Sequence, residues 1–199
     1  MKNSLAEMLD EKIGSFYSSQ ADAERRIEGM MEKATRNITI YSPSFGYFYS
    51  PVIGGIVHDK LKNKRTITVL TNERVAGDKD ASVEKLAEDS FGFFRAILNF
   101  SENGLYFLPE IAENLNFYFM KKPGETDSEI IVVDQSIALA TNREGKYKCW
   151  CREDGNTLRE KYLKQINRII CKGGAYVVDT TELLNKTKEL SERKEKILV

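Results

Sequence analysis

The chain has 199 residues, with 30 Lys plus Arg against 30 Asp plus Glu, 41% hydrophobic and 30% charged residues. That length fills one hydrophobic core, and the charge balance excludes a global field that would draw the whole molecule onto a nucleic acid or an anionic membrane. The composition excludes a disordered chain, no run of about 18 uncharged apolar residues suggests a membrane span, and the segment from Met1 to Asp10 lacks a signal-peptide core, which together predict a cytoplasmic protein.

Residues 1–20 read as an N-terminal helical extension, 21–179 as one α/β domain and 180–199 as a C-terminal surface helix. Between Ala21 and Arg36, the residues Ile27, Met30, Met31 and Ala34 form one apolar helical stripe. Ile38-Thr39-Ile40-Tyr41 is a β-branched and aromatic strand that Ser42-Pro43 ends. Ser50-Pro51 has the chemistry of a helix start, and the helix runs through Ile53, Ile56, Val57 and Leu61 to a basic end. Thr66 to Thr71 is a second strand, so the two strands and their helix form a parallel βαβ unit.

After a polar loop, helical segments are expected around Ser82 to Ala87 and Phe91 to Leu98. Asn116 to Met120, Glu129 to Val133, Ser136 to Ala140 and Tyr147 to Cys151 are short strands whose brief connections predict antiparallel neighbours. Thr157 and Glu160 form a capping box ahead of an amphipathic helix carrying Leu158, Tyr162, Ile166, Ile169 and Ile170. Gly173-Gly174 stops that helix, Ala175 to Val178 is a last strand, and Thr180 to Leu198 is a Lys/Glu-rich helix with a thin apolar stripe. The fold class is α/β: a mixed sheet with an N-terminal parallel βαβ unit, a later antiparallel hairpin and helices on both faces.

No glycine-rich phosphate loop, nucleophile elbow, zinc-helix motif or calcium loop occurs in the sequence. The lone His58 falls midway along a helix and reads as half-buried or surface-lying rather than catalytic. Cys149 and Cys151 share one face of a strand and Cys171 lies far from them, a set that reads as reduced thiols with no disulfide and no metal. Asp134 and Glu144-Gly145-Lys146 superficially match the acidic-acidic-lysine set of metal-dependent nucleases, but Glu144 and Lys146 fall in a polar turn instead of on a rigid strand. The segment Ser42-Pro43-Ser44-Phe45-Gly46-Tyr47-Phe48-Tyr49 and the segment Thr71-Asn72-Glu73-Arg74 follow the two parallel strands, where open sheets bind ligands. The aromatics there suit either a pocket wall or a covered sheet edge.

The element order and the hairpin from Glu129 to Asn142 resemble the phospholipase-D-like fold. In that family a His-x-Lys-x4-Asp motif runs into a strand and turn, and a Gly-Ser-x-Asn-like segment follows the next strand. Asp134 matches the motif's aspartate, and Thr141-Asn142 loosely matches the later segment. Asp127 holds the place of the histidine and Glu129 that of the lysine, so the resemblance implies a member unable to form a phosphohistidine. Such copies of the fold look like the effector-sensing domains of archaeal TrmB-type and methanogenesis-type transcription regulators. The roughly 20 residues ahead of the first helix are too few for a winged helix, so direct DNA binding is not expected.

The resulting expectation is a non-catalytic sensor or regulatory binding module for a small polar or anionic ligand, without cofactor, without membrane contact and acting as a homodimer. Its ligand contacts are placed at Ser42, Ser44, Tyr47, Asn72, Arg74, Asp134 and Asn142. The alternatives are a phosphodiesterase or nuclease, and a scaffold that docks a protein partner through the C-terminal helix.

Overall fold

A computed structural model describes residues 15–17, 19–43, 50–72, 75, 77–101, 104–122, 128–143, 146–152 and 156–197. Its centre is an eight-stranded mixed sheet in the order β1-β9-β8-β7-β2-β3-β6-β10. The strands are β1 (Ser15–Tyr17), β2 (Ile38–Tyr41), β3 (Ile67–Asn72), β6 (Leu115–Met120), β7 (Glu129–Val133), β8 (Ser136–Arg143), β9 (Lys146–Arg152) and β10 (Ala175–Val178). A separate hairpin joins β4 (Asn99–Ser101) to β5 (Gly104–Tyr106). The helices are α1 (Gln20–Glu32), α2 (Pro51–Lys62), α3 (Lys79–Asp89), α4 (Phe91–Ile97), α5 (Pro109–Asn114), α6 (Asn156–Cys171) and α7 (Thr180–Ile197).

The expected βαβ unit is present: β2 and β3 pair in parallel, with Ile38 beside Ile67 and Ile40 beside Val69. Helix α2 between them starts where its sequence dictates, for the Ser50 hydroxyl accepts the Ile53 amide at 3.2 Å and Pro51 fills the first turn without needing a donor. The hairpin β7–β8 is also present, paired from Glu129–Ala140 to Val133–Ser136.

One expectation about the later strands fails. β6 is parallel to β3, and β7 lies two strands further on, antiparallel to β2. β6 and β7 are therefore not hairpin neighbours, because β2 and β3 lie between them in the sheet. Both strand ends lie at the same edge of the sheet, about 14 Å apart at three strand spacings, a gap that eight residues span easily. Short linkers favour antiparallel neighbours only when those neighbours are adjacent in the sheet.

Strand alternation sends Ile38, Ile40, Ile67, Val69, Phe117, Phe119, Ile131 and Val133 to one face, where α1, α2, α3, α4 and α7 cover them. The other face carries Tyr41, Leu70, Ile130, Val132, Ile137, Leu139 and Trp150 against Tyr162 and Ile166 of α6. Helices α2 and α4 approach so closely that a Cβ on Gly54 would stand 2.4 Å from the Phe93 carbonyl oxygen. The thin stripe of α7 is spent within the chain: Leu183 and Leu184 are fully buried, and the Ser191 hydroxyl accepts from Arg95 Nε at 3.0 Å.

Ser15–Tyr17, inside the expected helical extension, pairs with β9 as an edge strand. α6 begins at Asn156, one residue before the expected capping threonine. Among the described residues, no helix is long and apolar enough to cross a membrane.

Candidate functional site

The residues singled out in the sequence separate onto two opposite ends of the sheet. At the carboxyl ends of β2 and β3 stands Ser42, fully buried. Its amide donates to Leu70 O at 2.9 Å, its carbonyl accepts from Thr71 Oγ1 at 2.7 Å, and its hydroxyl donates to Glu129 Oε1 at 2.9 Å. Glu129 is the first residue of β7, 5% exposed, and a carboxylate this far from water is tolerated only where polar groups meet it. Asn72 ends β3, and its Oδ1 is buried without a hydrogen-bond partner among the described residues. The Glu129–Ala140 pair places Asn142 two residues beyond it at this same end. Ser44, Tyr47 and Arg74 lie outside the described residues.

Asp134 is at the other end. It occupies the tight β7–β8 turn with φ of 48°, a left-handed conformation that aspartate accepts more readily than most side chains. Its Oδ2 accepts from the Thr35 amide at 2.7 Å and the Thr35 hydroxyl at 2.9 Å, and its Oδ1 accepts from the Arg36 amide at 3.0 Å. Partial burial works to raise its pKa, but the Thr35 and Arg36 hydrogen bonds and the Arg36 charge outweigh it and hold the carboxyl below its ordinary value. The length of β7, about 16 Å, separates Asp134 from the Ser42–Glu129 pair, so the two ends do not share a ligand.

The same geometry disposes of the nuclease-like set. Asp134 precedes the eight-residue strand β8 and Lys146 follows it, paired with Arg143 at the far end. Eight residues of strand extend about 26 Å, far beyond what one metal ion can bridge. Glu144 and Gly145 lie outside the described residues. Among the described residues, no group of three His, Cys, Asp or Glu side chains is placed to hold a metal.

His58 is half-buried, and its Nδ1 lies 2.8 Å from the Ile97 carbonyl, a helix-to-helix tie between α2 and α4. The Cys149 and Cys151 sulfurs lie 3.7 Å apart on the covered face as free thiols, while Cys171 is exposed. The Cys149 hydrogen bond, together with burial, pushes the Cys151 thiol well above its ordinary range.

Sequence reasoning missed a groove of about 910 Å³ between the sheet and α6, on the Asp134 side. Thr39 and Thr68, side by side on β2 and β3, form part of its floor with Val132. Arg159, Leu163 and Asn167, spaced four apart on α6, form its wall, and Lys33, Thr35 and Arg36 close one end. The threonines alternate with buried isoleucines and so read in sequence as an ordinary solvent-facing row. The one available signal was Arg159 at helical spacing from Leu163 on a helix otherwise read only for its apolar stripe.

No protein-family model and no curated protein matches the chain. Solved structures do. TrmBL2, an archaeal chromatin protein whose structure shows a novel mode of DNA binding, aligns over 89% of this chain at 11% identity and a TM-score of 0.50. The chain spans only 57% of TrmBL2. Nuc of Salmonella typhimurium, a phospholipase D family member, aligns over 83% of this chain and 98% of its own at 12% identity and a TM-score of 0.54. Phosphatidylserine synthase of Haemophilus influenzae Rd KW20 aligns over 92% of this chain and 45% of its own at 14% identity and a TM-score of 0.51. At such identities the likeness is one of architecture alone, and the architecture is that of a single phospholipase-D-like unit.

Proposed function

We propose that the chain is a non-catalytic binding module of phospholipase-D-like fold, which senses a small polar or anionic molecule instead of cleaving phosphodiesters. One observation carries this reading. Glu129, at the place of the family motif's lysine, is a buried carboxylate held by the Ser42 hydroxyl at the carboxyl end of the parallel strands. A phosphate brought there would meet negative charge in a poorly solvated setting, where repulsion is strong. The histidine's place is taken by Asp127, which offers no imidazole to attack phosphorus.

Recognition of an uncharged polar molecule without turnover remains available to this end of the sheet, where Glu129 disfavours the anionic case. Asn72 presents an acceptor that protein groups leave unused, and such an atom costs about 1–3 kcal/mol unless an occupant or water satisfies it. The phosphodiesterase alternative would need either the missing imidazole or a metal bridging Asp134 to the β8–β9 turn, which the length of β8 forbids.

Incubation with bis(p-nitrophenyl) phosphate, with and without added Mg²⁺, Mn²⁺ or Zn²⁺, tests the proposal. No release of nitrophenolate above buffer is expected. Metal-independent or metal-dependent release that disappears in the Glu129→Gln or Asp127→Asn variant would overturn it. A metabolite screen by thermal shift provides the positive arm, because a ligand that binds the folded state raises its midpoint.

A further inference from the structure

The groove beneath α6 lies at the opposite end of the sheet from Ser42 and Glu129, and its chemistry differs. From these residues we infer a second binding site there, for a small organophosphate whose phosphoryl group is held by Arg159.

The argument starts with charge. Lys33, Arg36 and Arg159 border the groove, and Asp134 is the one carboxylate among its described lining residues. That carboxylate accepts from two amides and a hydroxyl of the α1–β2 connection, at 2.7, 3.0 and 2.9 Å, and its charge is set against that of Arg36. Three cations against one carboxylate still leave the lining with an excess of positive charge, in a chain whose overall charge is zero. An anion is the complementary occupant.

Shape narrows the class. The groove is walled on one side by a helix and floored by a sheet, and its volume of about 910 Å³ falls within the size range of small-molecule sites. Arg159 is half-buried, and its Nε is shielded from solvent without a hydrogen-bond partner among the described residues. A guanidinium held in this way has a planar donor fork available for two oxygens of a phosphoryl group.

The floor narrows it further. The row Val132–Thr39–Thr68 crosses three adjacent strands and puts two hydroxyls where the neighbouring row, Ile130–Tyr41–Leu70, is packed beneath α6. Thr66, Gln135 and Asn167 add further donors and acceptors at the rim. No aromatic ring is among the described lining residues, so the organic part is not held by stacking. Hydroxyls and amides instead meet a polar, non-aromatic body attached to the phosphoryl group.

Inorganic pyrophosphate is the probe. Titrated into the isotopically labelled chain, it should saturate and shift the backbone amide signals of Thr39, Thr68 and Asn167, leaving Ser42 and Asn72 unmoved. Arg159→Gln should weaken binding at least tenfold, as expected for loss of a charge-assisted hydrogen bond. Lys161→Gln removes an equal charge from an exposed position on the same helix and should change affinity less than twofold. Thr68→Val gives a second, uncharged perturbation and should also weaken binding, which keeps the test decisive if Arg159→Gln fails to fold.

Absence of saturable shifts would overturn the proposal. So would equal weakening by Lys161→Gln and Arg159→Gln, which would mark diffuse attraction, or shifts centred on Ser42 and Asn72. A short single-stranded oligonucleotide that displaces pyrophosphate from the groove and binds much more tightly would assign the site to a nucleic-acid backbone and refute a small-molecule ligand. None of these outcomes bears on whether the carboxyl end of the sheet hydrolyses phosphodiesters.

Discussion

Adjacent glycines in α2 provide a direct test of how tightly the helical layer is packed. A methyl group on Gly54 would stand 2.4 Å from the Phe93 carbonyl oxygen and 3.0 Å from the Ala96 Cβ. A normal carbon–oxygen contact is about 3.3 Å or more, so α2 and α4 would have to part by close to 1 Å. The obstructing oxygen belongs to helix backbone and cannot swing aside as a side-chain tip would. Overpacking of this kind costs about 1–3 kcal/mol, while replacing glycine by alanine in a helix returns about 1 kcal/mol. The net expectation for Gly54→Ala is a loss of up to about 2 kcal/mol, or up to about 8 °C in midpoint for a chain of this size. At Gly55 a Cβ meets nothing within 4 Å, so Gly55→Ala should gain up to about 1 kcal/mol from helix propensity alone. Urea unfolding followed by far-ultraviolet circular dichroism compares the three proteins. A Gly54→Ala variant as stable as Gly55→Ala would show that the two helices do not approach as described.

Three further outcomes follow from single side chains. Asp134→Asn should cost roughly 1 kcal/mol at neutral pH, discounted for partial exposure. Because the folded carboxyl titrates below its ordinary value near 4, the wild-type advantage should be complete above that value and vanish as pH falls through the lower folded pKa, as unfolding at stepped pH will show. Ser42→Ala removes the hydroxyl that donates to buried Glu129 and should destabilise by about 1–3 kcal/mol in the same assay, with Glu129→Gln costing less because an amide tolerates burial better. A disulfide thiol reagent at pH 8 should label one cysteine per native chain, Cys171, and all three after unfolding, since Cys149 and Cys151 are buried; fast labelling of more than one in the native state would contradict their placement.

How much of this was legible depends on whether a signal is local. The βαβ unit was, because Ser50-Pro51 and the alternating Ile38-Tyr41 and Ile67-Leu70 runs specify helix start and strand without reference to anything distant. The hairpin was, because Asp134-Gln135 between two apolar runs admits little except a tight turn. The placement of β6 was not: nothing in Leu115–Met120 records that its neighbours are β3 and β10, since that depends on where the preceding helices α3, α4 and α5 carry the chain. The candidate site divided for the same reason. Ser42 and Asn72 were located by strand ends, which are local features, whereas the groove joins β2, β3 and α6 across more than a hundred residues, and only the folded chain brings Thr39 to Arg159.

Asp134 shows how a motif can survive in part. Set against the His-x-Lys-x4-Asp pattern, Glu129 opens β7 and Asp134 follows it, so the strand separates these two positions by its length, while Asp127 lies outside the described residues. Glu129 is a buried partner of Ser42. The aspartate answers a different demand. It accepts three hydrogen bonds from Thr35 and Arg36, fixes the connection from α1 into β2, and tolerates the positive φ that the turn imposes. A residue so placed stabilises the fold whether or not the other end of the strand performs catalysis. Its presence therefore carries no weight as evidence of activity. The same strand sets the groove beside Asp134 apart from Glu129 by its length, so the anion proposed for the groove would stand clear of that buried carboxylate.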